Sequence, residues 1–253
     1  MAMVAAAVVG SGRRAGRKDA RKGFVKLIMH LNTIIFDFDG TLAELRLDFA
    51  AMKRGLSALA AVYMGEEPEP SPLPALEWLD ELAGEIEDYE GPDLAKEFHT
   101  RGRFLILSRE LDGARQARLF PTARPTLAAL RARGLAMGVI TRNSFSAVTR
   151  VFPDWQDQVG VLLAREDTPR VKPDPAHLGE ALRRLGASPR SALMVGDHPI
   201  DVETGRRLGV PCLGVATGHA SAADLRQTGA VHVLDSLDAL PPWLDQANAA
   251  VQP

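Results

Sequence analysis

The chain of 253 residues is long enough for one large α/β domain or for a core domain with a smaller insert, and too long for a single small module. Its 46% hydrophobic and 25% charged content is ordinary for a soluble globular protein, and no apolar stretch approaches the roughly 20 residues of a membrane-spanning helix. The single cysteine, Cys212, excludes an internal disulfide framework and fits a cytoplasmic location, and its apolar neighbours predict a buried structural thiol.

The first 30 residues differ in charge from the rest of the chain. They hold seven Lys and Arg residues against Asp19 alone, although the whole chain has a net charge of −2. The Arg cluster follows the apolar stretch at 2–9, whereas a secretory signal would place its basic residues first. We expect residues 1–30 to form a basic, disordered tail, for which nucleic-acid binding is the less favoured role.

Beyond the tail, apolar runs of strand length alternate with amphipathic stretches of helix length. This alternation is typical of βαβ units around a parallel sheet with helices on both faces. The predicted strands lie at 32–37, 135–141, 191–196, 211–216 and 231–234, and the predicted helices at 126–133, 144–151, 174–185 and 201–208. Gly134, Gly186 and Gly209 are expected to end three of these helices, because glycine accepts the left-handed backbone found there.

Residues 43–119 interrupt this alternation. They contain no clear buried strand but several helical stretches, at 49–64, 74–89 and 93–119, which predicts a helical domain inserted into a core formed by 31–42 and 120–253. A proline-rich segment at 68–74 is expected to be a stiff loop between two of these helices. Apolar residues at helical spacing predict an inward packing face made of Leu76, Leu79, Leu82, Ala83 and Ile86.

The segment Asp37-Phe38-Asp39-Gly40-Thr41 follows the first predicted strand directly. Alternate residues of an extended backbone point to the same side, so Asp37 and Asp39 can both reach one reacting group. A strand that ends in a polar turn would show the same residues, because Asp and Gly also favour turns. This segment alone therefore leaves both interpretations open.

Polar residues also follow the next strands of the predicted sheet. Thr141-Arg142-Asn143 comes after the second strand, Gly196-Asp197 after the third, and Lys172 lies in the segment that opens the helix between them. Open parallel sheets bind ligands at the carboxyl ends of their strands. Each of these segments alone is a common cap or turn, but together they indicate one site.

In this order and spacing, the motifs resemble those of the haloacid dehalogenase superfamily, specifically its phosphatase branch with a helical cap, and are most similar to its phosphoglycolate phosphatase-like group. The resemblance covers about residues 31–235. Residues 37–41 resemble the first family motif, Thr141 the second, Lys172 the third and the segment from Gly196 to Asp201 the fourth. The resemblance implies an α/β fold with a Rossmann-like core sheet of order 3-2-1-4-5 and a mobile helical cap at 43–119.

The same resemblance implies roles for individual residues. Asp37 would be the nucleophile, and Asp39 the acid that protonates the leaving alcohol and then the base that activates water against an aspartyl-phosphate. Mg²⁺ would be bound by the Asp37 carboxylate, the Asp39 backbone carbonyl and Asp197. The phosphate of a small phosphorylated metabolite would be held by Thr141, Arg142 and Lys172. A carboxylate at position 39 favours phosphate esters over carbon–halogen or carbon–phosphorus cleavage.

Several alternatives stay open at this stage. Asp201 is expected to assist the metal through water, to orient Lys172 or to cap the helix that it begins. His198 stands where a small polar residue is frequent, and Arg142 stands where Asn is common. A β-phosphoglucomutase-like phosphomutase and a non-catalytic nucleic-acid-binding module are the alternative functions, and a monomer or homodimer without a membrane partner is expected. The candidate cap contacts for an anionic substrate are Arg46, Lys53, Arg101, Arg103 and Arg109.

Overall fold

The computed structural model describes residues 30–44 and 46–249. The predicted basic tail lies outside the described residues, apart from His30. The described residues divide into two compact units, one formed by 30–44 with 118–249 and the other by 46–117. Among the described residues, no helix has both the length and the apolar character needed to cross a membrane.

The first unit is built on a six-stranded parallel sheet. Its strands are β1 (Thr33–Phe36), β2 (Ala136–Ile140), β3 (Val161–Leu163), β4 (Ala192–Gly196), β5 (Cys212–Val215) and β6 (His232–Leu234). The strand order is β3-β2-β1-β4-β5-β6, which confirms the predicted order 3-2-1-4-5. The strand at the far edge, β6, corresponds to the strand predicted at 231–234. The sequence pattern missed β3, a strand of three residues.

The helices follow the strands as βαβ units require. In chain order they are α1 (Phe49–Met64), α2 (Ala75–Glu90), α3 (Pro92–Ala114), α4 (Ala123–Ala132), α5 (Phe145–Val151), α6 (Trp155–Gln158), α7 (Pro175–Arg184), α8 (Pro199–Leu208), α9 (Ala222–Thr228) and α10 (Leu240–Ala249), with short 3₁₀ turns at Arg165–Asp167, Pro189–Ser191 and Leu237–Ala239. The predicted glycine ends are confirmed by positive φ angles of 75° at Gly134, 65° at Gly186 and 73° at Gly209.

Side chains along β1 point alternately to the two faces of the sheet, and the apolar core of this unit therefore has two layers. Ile34 and Phe36 point into one apolar cluster with Leu127 of α4 and Trp243 of α10. Ile35 points into the opposite cluster, which includes residues of α7 and α8. Helices therefore cover both faces of the sheet, as predicted, and β1 is buried along its whole length. The Cys212 thiol is buried in the second cluster, also as predicted.

The second unit consists of α1, α2 and α3 around its own apolar core. Leu79, Leu82 and Ile86 are buried there, and Leu76 and Ala83 pack against them, which confirms the predicted inward face of α2. Residues 65–74, with the proline-rich segment, connect α1 to α2.

Two of the predicted substrate-binding cations have partners inside this second unit. The Lys53 ammonium donates to the Ser71 carbonyl at 2.7 Å. The Arg101 guanidinium forms an ion pair with Glu97 at 2.7 Å and lies over the Tyr63 ring. These contacts give both side chains a structural role in holding the helices and the loop of this unit.

Candidate active site

The strand register brings three predicted site residues to the same edge of the sheet. Phe36, the last residue of β1, is aligned with Val139 of β2 and with Val195 of β4. Asp37, Thr141 and Asp197 each follow the end of one of these three adjacent strands. Because the strands are parallel, their carboxyl ends meet at one edge, and the polar side chains that follow them gather there.

The buried side chain of Lys172 joins two carboxylates at this edge. Its Nζ lies 2.6 Å from Oδ1 of Asp37 and 2.7 Å from Oδ1 of Asp201. The backbone N–H of Phe38 also donates to Oδ1 of Asp37, at 2.6 Å. Two donors on one oxygen fix the orientation of the Asp37 carboxylate.

Three carboxylates lie close enough together to share one metal ion. Asp37, Asp197 and Asp201 each offer an oxygen, and these atoms lie within 4.8 Å of one another. All three side chains are buried, and when all three are ionised Lys172 supplies only one positive charge against three negative charges. A hard divalent cation such as Mg²⁺ prefers oxygen ligands and would balance this excess of negative charge, so the donor set fits it.

The pKa shifts in this cluster follow from burial and from the crowding of like charges. Burial, with the neighbouring charges of Asp37 and Asp201, raises the pKa of Asp197 to about 8. Burial and the charge of Asp201 raise the pKa of Asp37 to about 6, against the opposing effect of Lys172. Burial works to lower the pKa of Lys172, but the carboxylates of Asp201 and Asp37 outweigh it, so that this pKa is raised and the ammonium stays charged.

Asp39 lies beside the same site but outside the group of three carboxylates. Its Oδ2 accepts a hydrogen bond from Nδ2 of Asn143 at 3.0 Å. Burial raises the pKa of Asp39 to about 6, while the hydrogen bond from Asn143 works in the opposite direction. A carboxyl group with such a pKa can exchange a proton near neutral pH, as an acid–base catalyst must.

Helix α8 begins earlier than predicted, which changes the position of Asp201. The helix starts at Pro199, so His198 occupies the N-cap and Asp201 lies in the first turn; Asp201 is not the cap. The His198 ring accepts from the Ile200 N–H at 3.1 Å, and Oδ2 of Asp201 accepts from the His198 N–H at 3.1 Å. Pro199 shifts the start of the helix because its fixed φ suits the first helical position.

The backbone of Lys172 is held on both sides. Its N–H donates to Nδ1 of the buried His177 at 3.4 Å, and its carbonyl accepts from the Arg142 guanidinium. Arg142 thus supports the segment that carries Lys172, and its contact with a substrate phosphate stays a prediction. Since His177 and Arg142 together fix the main chain, the ammonium is aimed at Asp37 and Asp201.

Other residues at this edge have contacts with Asp197 that the sequence patterns did not predict. The Thr41 hydroxyl donates to Oδ1 of Asp197 at 2.9 Å. A Cβ on Gly218, in the loop after β5, would lie 1.6 Å from Oδ2 of Asp197, and one on Gly40 would lie 2.3 Å from the same oxygen. Only glycine leaves room for the carboxylate at these positions. Gly40 and Thr41 belong to the first motif, whereas the one sequence signal for Gly218 is that it follows a strand at the edge where ligands bind.

Several known proteins are similar to this chain in sequence. The haloacid dehalogenase-like hydrolase family profile matches residues 31–209. A phosphoglycolate phosphatase of Psychrobacter arcticus is 28% identical over 236 residues, which cover 88% of this chain and 99% of that protein. A phosphoglycolate phosphatase of Yersinia pestis is 29% identical over 231 residues, covering 84% of this chain and 95% of that protein.

Solved structures share the fold at lower identity. A hydrolase from Pseudomonas syringae has a TM-score of 0.60 at 20% identity and covers 85% of this chain and 98% of its own. A phosphonoacetaldehyde hydrolase-like protein from Oleispira antarctica has a TM-score of 0.62 at 18% identity, covering 88% of this chain and 94% of its own. Together with the profile match across β1, β2, β4 and α8, this similarity confirms the resemblance seen in the sequence: the chain belongs to the haloacid dehalogenase-like hydrolases and is an enzyme.

Proposed function

We propose that this enzyme is a Mg²⁺-dependent phosphatase that hydrolyses the phosphomonoester of a small, phosphoglycolate-like metabolite through an aspartyl-phosphate on Asp37. The observation that carries the proposal is the contact between Asp37 and Lys172 at 2.6 Å, beside the carboxylates of Asp197 and Asp201. The names of the related phosphatases support the substrate class.

The first step transfers the phosphoryl group to Asp37. An oxygen of its carboxylate forms a bond to phosphorus while the bond from phosphorus to the alcohol oxygen breaks, and Asp39 gives its proton to that oxygen. Repulsion between the carboxylate and the phosphate dianion opposes this attack. The Lys172 ammonium reduces it because it lies within hydrogen-bonding distance of Asp37. Thr141, at the tip of the adjacent strand, is proposed to hold a phosphate oxygen for in-line attack.

The second step releases phosphate. Asp39, now a carboxylate, accepts a proton from water, and the water oxygen attacks phosphorus as its bond to Asp37 breaks. Bound Mg²⁺ would supply positive charge to the phosphate oxygens and to the carboxylates around it in both steps. Asp37 and Asp197 are proposed as ligands through their carboxylates and Asp39 through its backbone carbonyl. Asp201 is a third carboxylate of the same group and also holds Lys172.

The test measures phosphate release from a panel of phosphorylated metabolites that includes 2-phosphoglycolate, with and without Mg²⁺. We expect turnover that depends on Mg²⁺ and is abolished in Asp37→Asn, which keeps the shape of the side chain but is not a nucleophile. Mg²⁺-dependent turnover that survives in this variant would overturn the mechanism. Formation of a bisphosphate in place of free phosphate would indicate a phosphomutase instead.

A further inference from the structure

The loop after β2 contains an asparagine whose hydrogen-bonding groups all have partners. The Asn143 N–H donates to the Thr141 hydroxyl oxygen at 3.0 Å, and its carbonyl accepts from the Arg165 N–H at 3.2 Å. Its side-chain Oδ1 accepts from the Ser144 N–H at 2.8 Å, and its Nδ2 donates to Oδ2 of Asp39 at 3.0 Å. The residue is buried.

These partners fix the direction of the side-chain amide. A backbone N–H can only donate, so the atom of Asn143 that faces the Ser144 N–H must be the oxygen. The NH₂ group is then the one that faces Asp39. Because its own loop and two neighbouring segments hold Asn143, its donor keeps one position and one direction.

The turn after β3 holds this loop from the opposite side. In addition to the bond from the Arg165 N–H, a carboxylate oxygen of Glu166 accepts from the Phe145 N–H at 3.0 Å. Phe145 is the first residue of α5, so the turn at Arg165–Asp167 fixes both the loop and the start of the helix.

We propose that Asn143 is the positioning residue for Asp39 in the transfer step. By donating to Oδ2 of Asp39, it holds the carboxyl group in the orientation from which the proton reaches the leaving oxygen. This inference rests on the proposed function, because it needs Asp39 to protonate the leaving group. A general acid gives its benefit only when the proton lies within hydrogen-bonding reach of the oxygen that receives it.

The test compares two substrates, one whose leaving group must be protonated before it departs and one whose leaving group departs without a proton. The alcohol of 2-phosphoglycolate leaves only when protonated, whereas p-nitrophenyl phosphate releases a stable anion. We expect Asn143→Ala to lower kcat/KM for 2-phosphoglycolate by about 10- to 100-fold, which is part of the roughly 10²–10⁴-fold effect of a general acid. For p-nitrophenyl phosphate we expect the same variant to lower kcat/KM by less than about 3-fold. Ser146→Ala, an exposed change three residues along the same segment, is the matched control and should leave both values unchanged.

A second variant tests whether the effect of Asn143→Ala comes from the missing donor or from a loop that has lost its structure. Asn143→Asp keeps the acceptor for the Ser144 N–H but turns a carboxylate oxygen toward Asp39, so it should show the same preference for p-nitrophenyl phosphate. Thermal unfolding of each variant reports whether the fold is kept. Equal losses on both substrates in both variants would overturn the inference.

Asp39→Asn separates this inference from the proposed function. The comparison uses kcat/KM, which covers only the transfer step and not the later attack of water that both substrates share. If Asp39→Asn lowers kcat/KM selectively for 2-phosphoglycolate but neither Asn143 variant does, Asp39 is the acid and Asn143 does not position it. If Asp39→Asn lowers kcat/KM equally for both substrates, or if the unchanged enzyme does not hydrolyse 2-phosphoglycolate, the proposed function is wrong and the inference fails with it.

Discussion

The Lys172 ammonium lies 2.6 Å from Oδ1 of Asp37, and both groups are buried at the carboxyl edge of the sheet. The two residues are far apart in the sequence, and the contact forms because the end of β1 meets the segment that opens α7. Breaking a buried pair costs more than forming it contributes, since the remaining charge stays buried without a partner. Lys172 is therefore important for both the fold and the proposed reaction.

The first prediction removes this charge. Lys172→Met keeps the aliphatic volume but leaves Asp37 and Asp201 without the ammonium that contacts both. We expect phosphatase turnover to fall by about 10²–10³-fold and the free energy of unfolding at pH 7.5 to fall by about 3–5 kcal/mol. Phosphate release and urea denaturation measure the two effects. Turnover within tenfold of the unchanged enzyme would contradict the role given to Lys172.

The second prediction concerns the close approach of Gly218 to Asp197. A Cβ at this position would lie 1.6 Å from Oδ2 of Asp197, so Gly218→Ala must displace the carboxylate. We expect Mg²⁺ affinity, measured by calorimetry, to fall by about 10- to 100-fold, the range for disturbed metal sites. The matched control is Gly179→Ala in α7, where the nearest atom lies 3.9 Å away. The control should bind Mg²⁺ normally and gain about 0.5–1 kcal/mol of stability. Equal Mg²⁺ affinity in both variants would contradict the prediction.

The sequence predicted the parts of the site that follow long apolar strands. The four- and five-residue strands β1, β2 and β4 stand out as apolar runs, so the pattern alone assigns the residues at their ends, Asp37, Thr141 and Asp197, to one edge of the sheet. Their catalytic and metal-binding roles stay predictions. The helical insert could also be predicted, because α1 and α2 show helical periodicity in their apolar residues.

Residues that act through tertiary contacts could not be predicted in this way. Asn143 belongs to the polar segment after β2, but the local pattern does not show its contact with Asp39, which lies 104 positions away in the sequence. Gly218 matters because of the space it leaves for Asp197, which no periodicity reports. The start of α8 was misplaced because His198 is an uncommon cap, whereas Asp201 belongs to the residue types that favour this position.

The third prediction is that Mg²⁺ stabilises the protein more strongly at high pH. Without metal, burial and like charges raise the pKa of Asp197 to about 8 and that of Asp37 to about 6, above the unfolded value of 3.8. The folded state therefore binds these protons more tightly, and the contribution of these groups to stability falls as the pH rises from about 4 to 8. Mg²⁺ needs the deprotonated carboxylates and would offset their repulsion.

Thermal unfolding at pH 5.5 and pH 8.5, with and without Mg²⁺, checks this prediction. We expect the rise in Tm on adding Mg²⁺ to be clearly larger at pH 8.5. Asp197→Asn, which removes one of the raised carboxyl groups, should reduce the Mg²⁺ effect at both pH values. An equal rise in Tm at both pH values in the unchanged protein would contradict the prediction.

The fourth prediction concerns the buried His177, which contacts the backbone of Lys172. The His177 ring accepts from the Lys172 N–H and donates from Nε2 to the Leu163 carbonyl, at 3.2 Å. Only the neutral ring with its proton on Nε2 can make both contacts. Burial, together with the charge of Lys172, lowers the pKa of His177 to about 3, from 6.5 in the unfolded chain. Its contribution to stability is therefore fully present above pH 6.5 and is lost as the pH falls toward 3.

His177→Gln tests this linkage, because glutamine has the same kinds of donor and acceptor but does not titrate. Urea denaturation at pH 7.5 should show a small loss of stability in the variant. At pH 5.0 His177 is protonated in the unfolded wild-type chain but stays neutral in the folded protein. The free energy of unfolding of the wild type should therefore fall by about 2 kcal/mol relative to that of the variant. Carboxylates common to both proteins largely cancel in this difference. A stability gap that stays constant between the two pH values would mean that His177 takes up its proton as readily in the folded protein as in the unfolded chain.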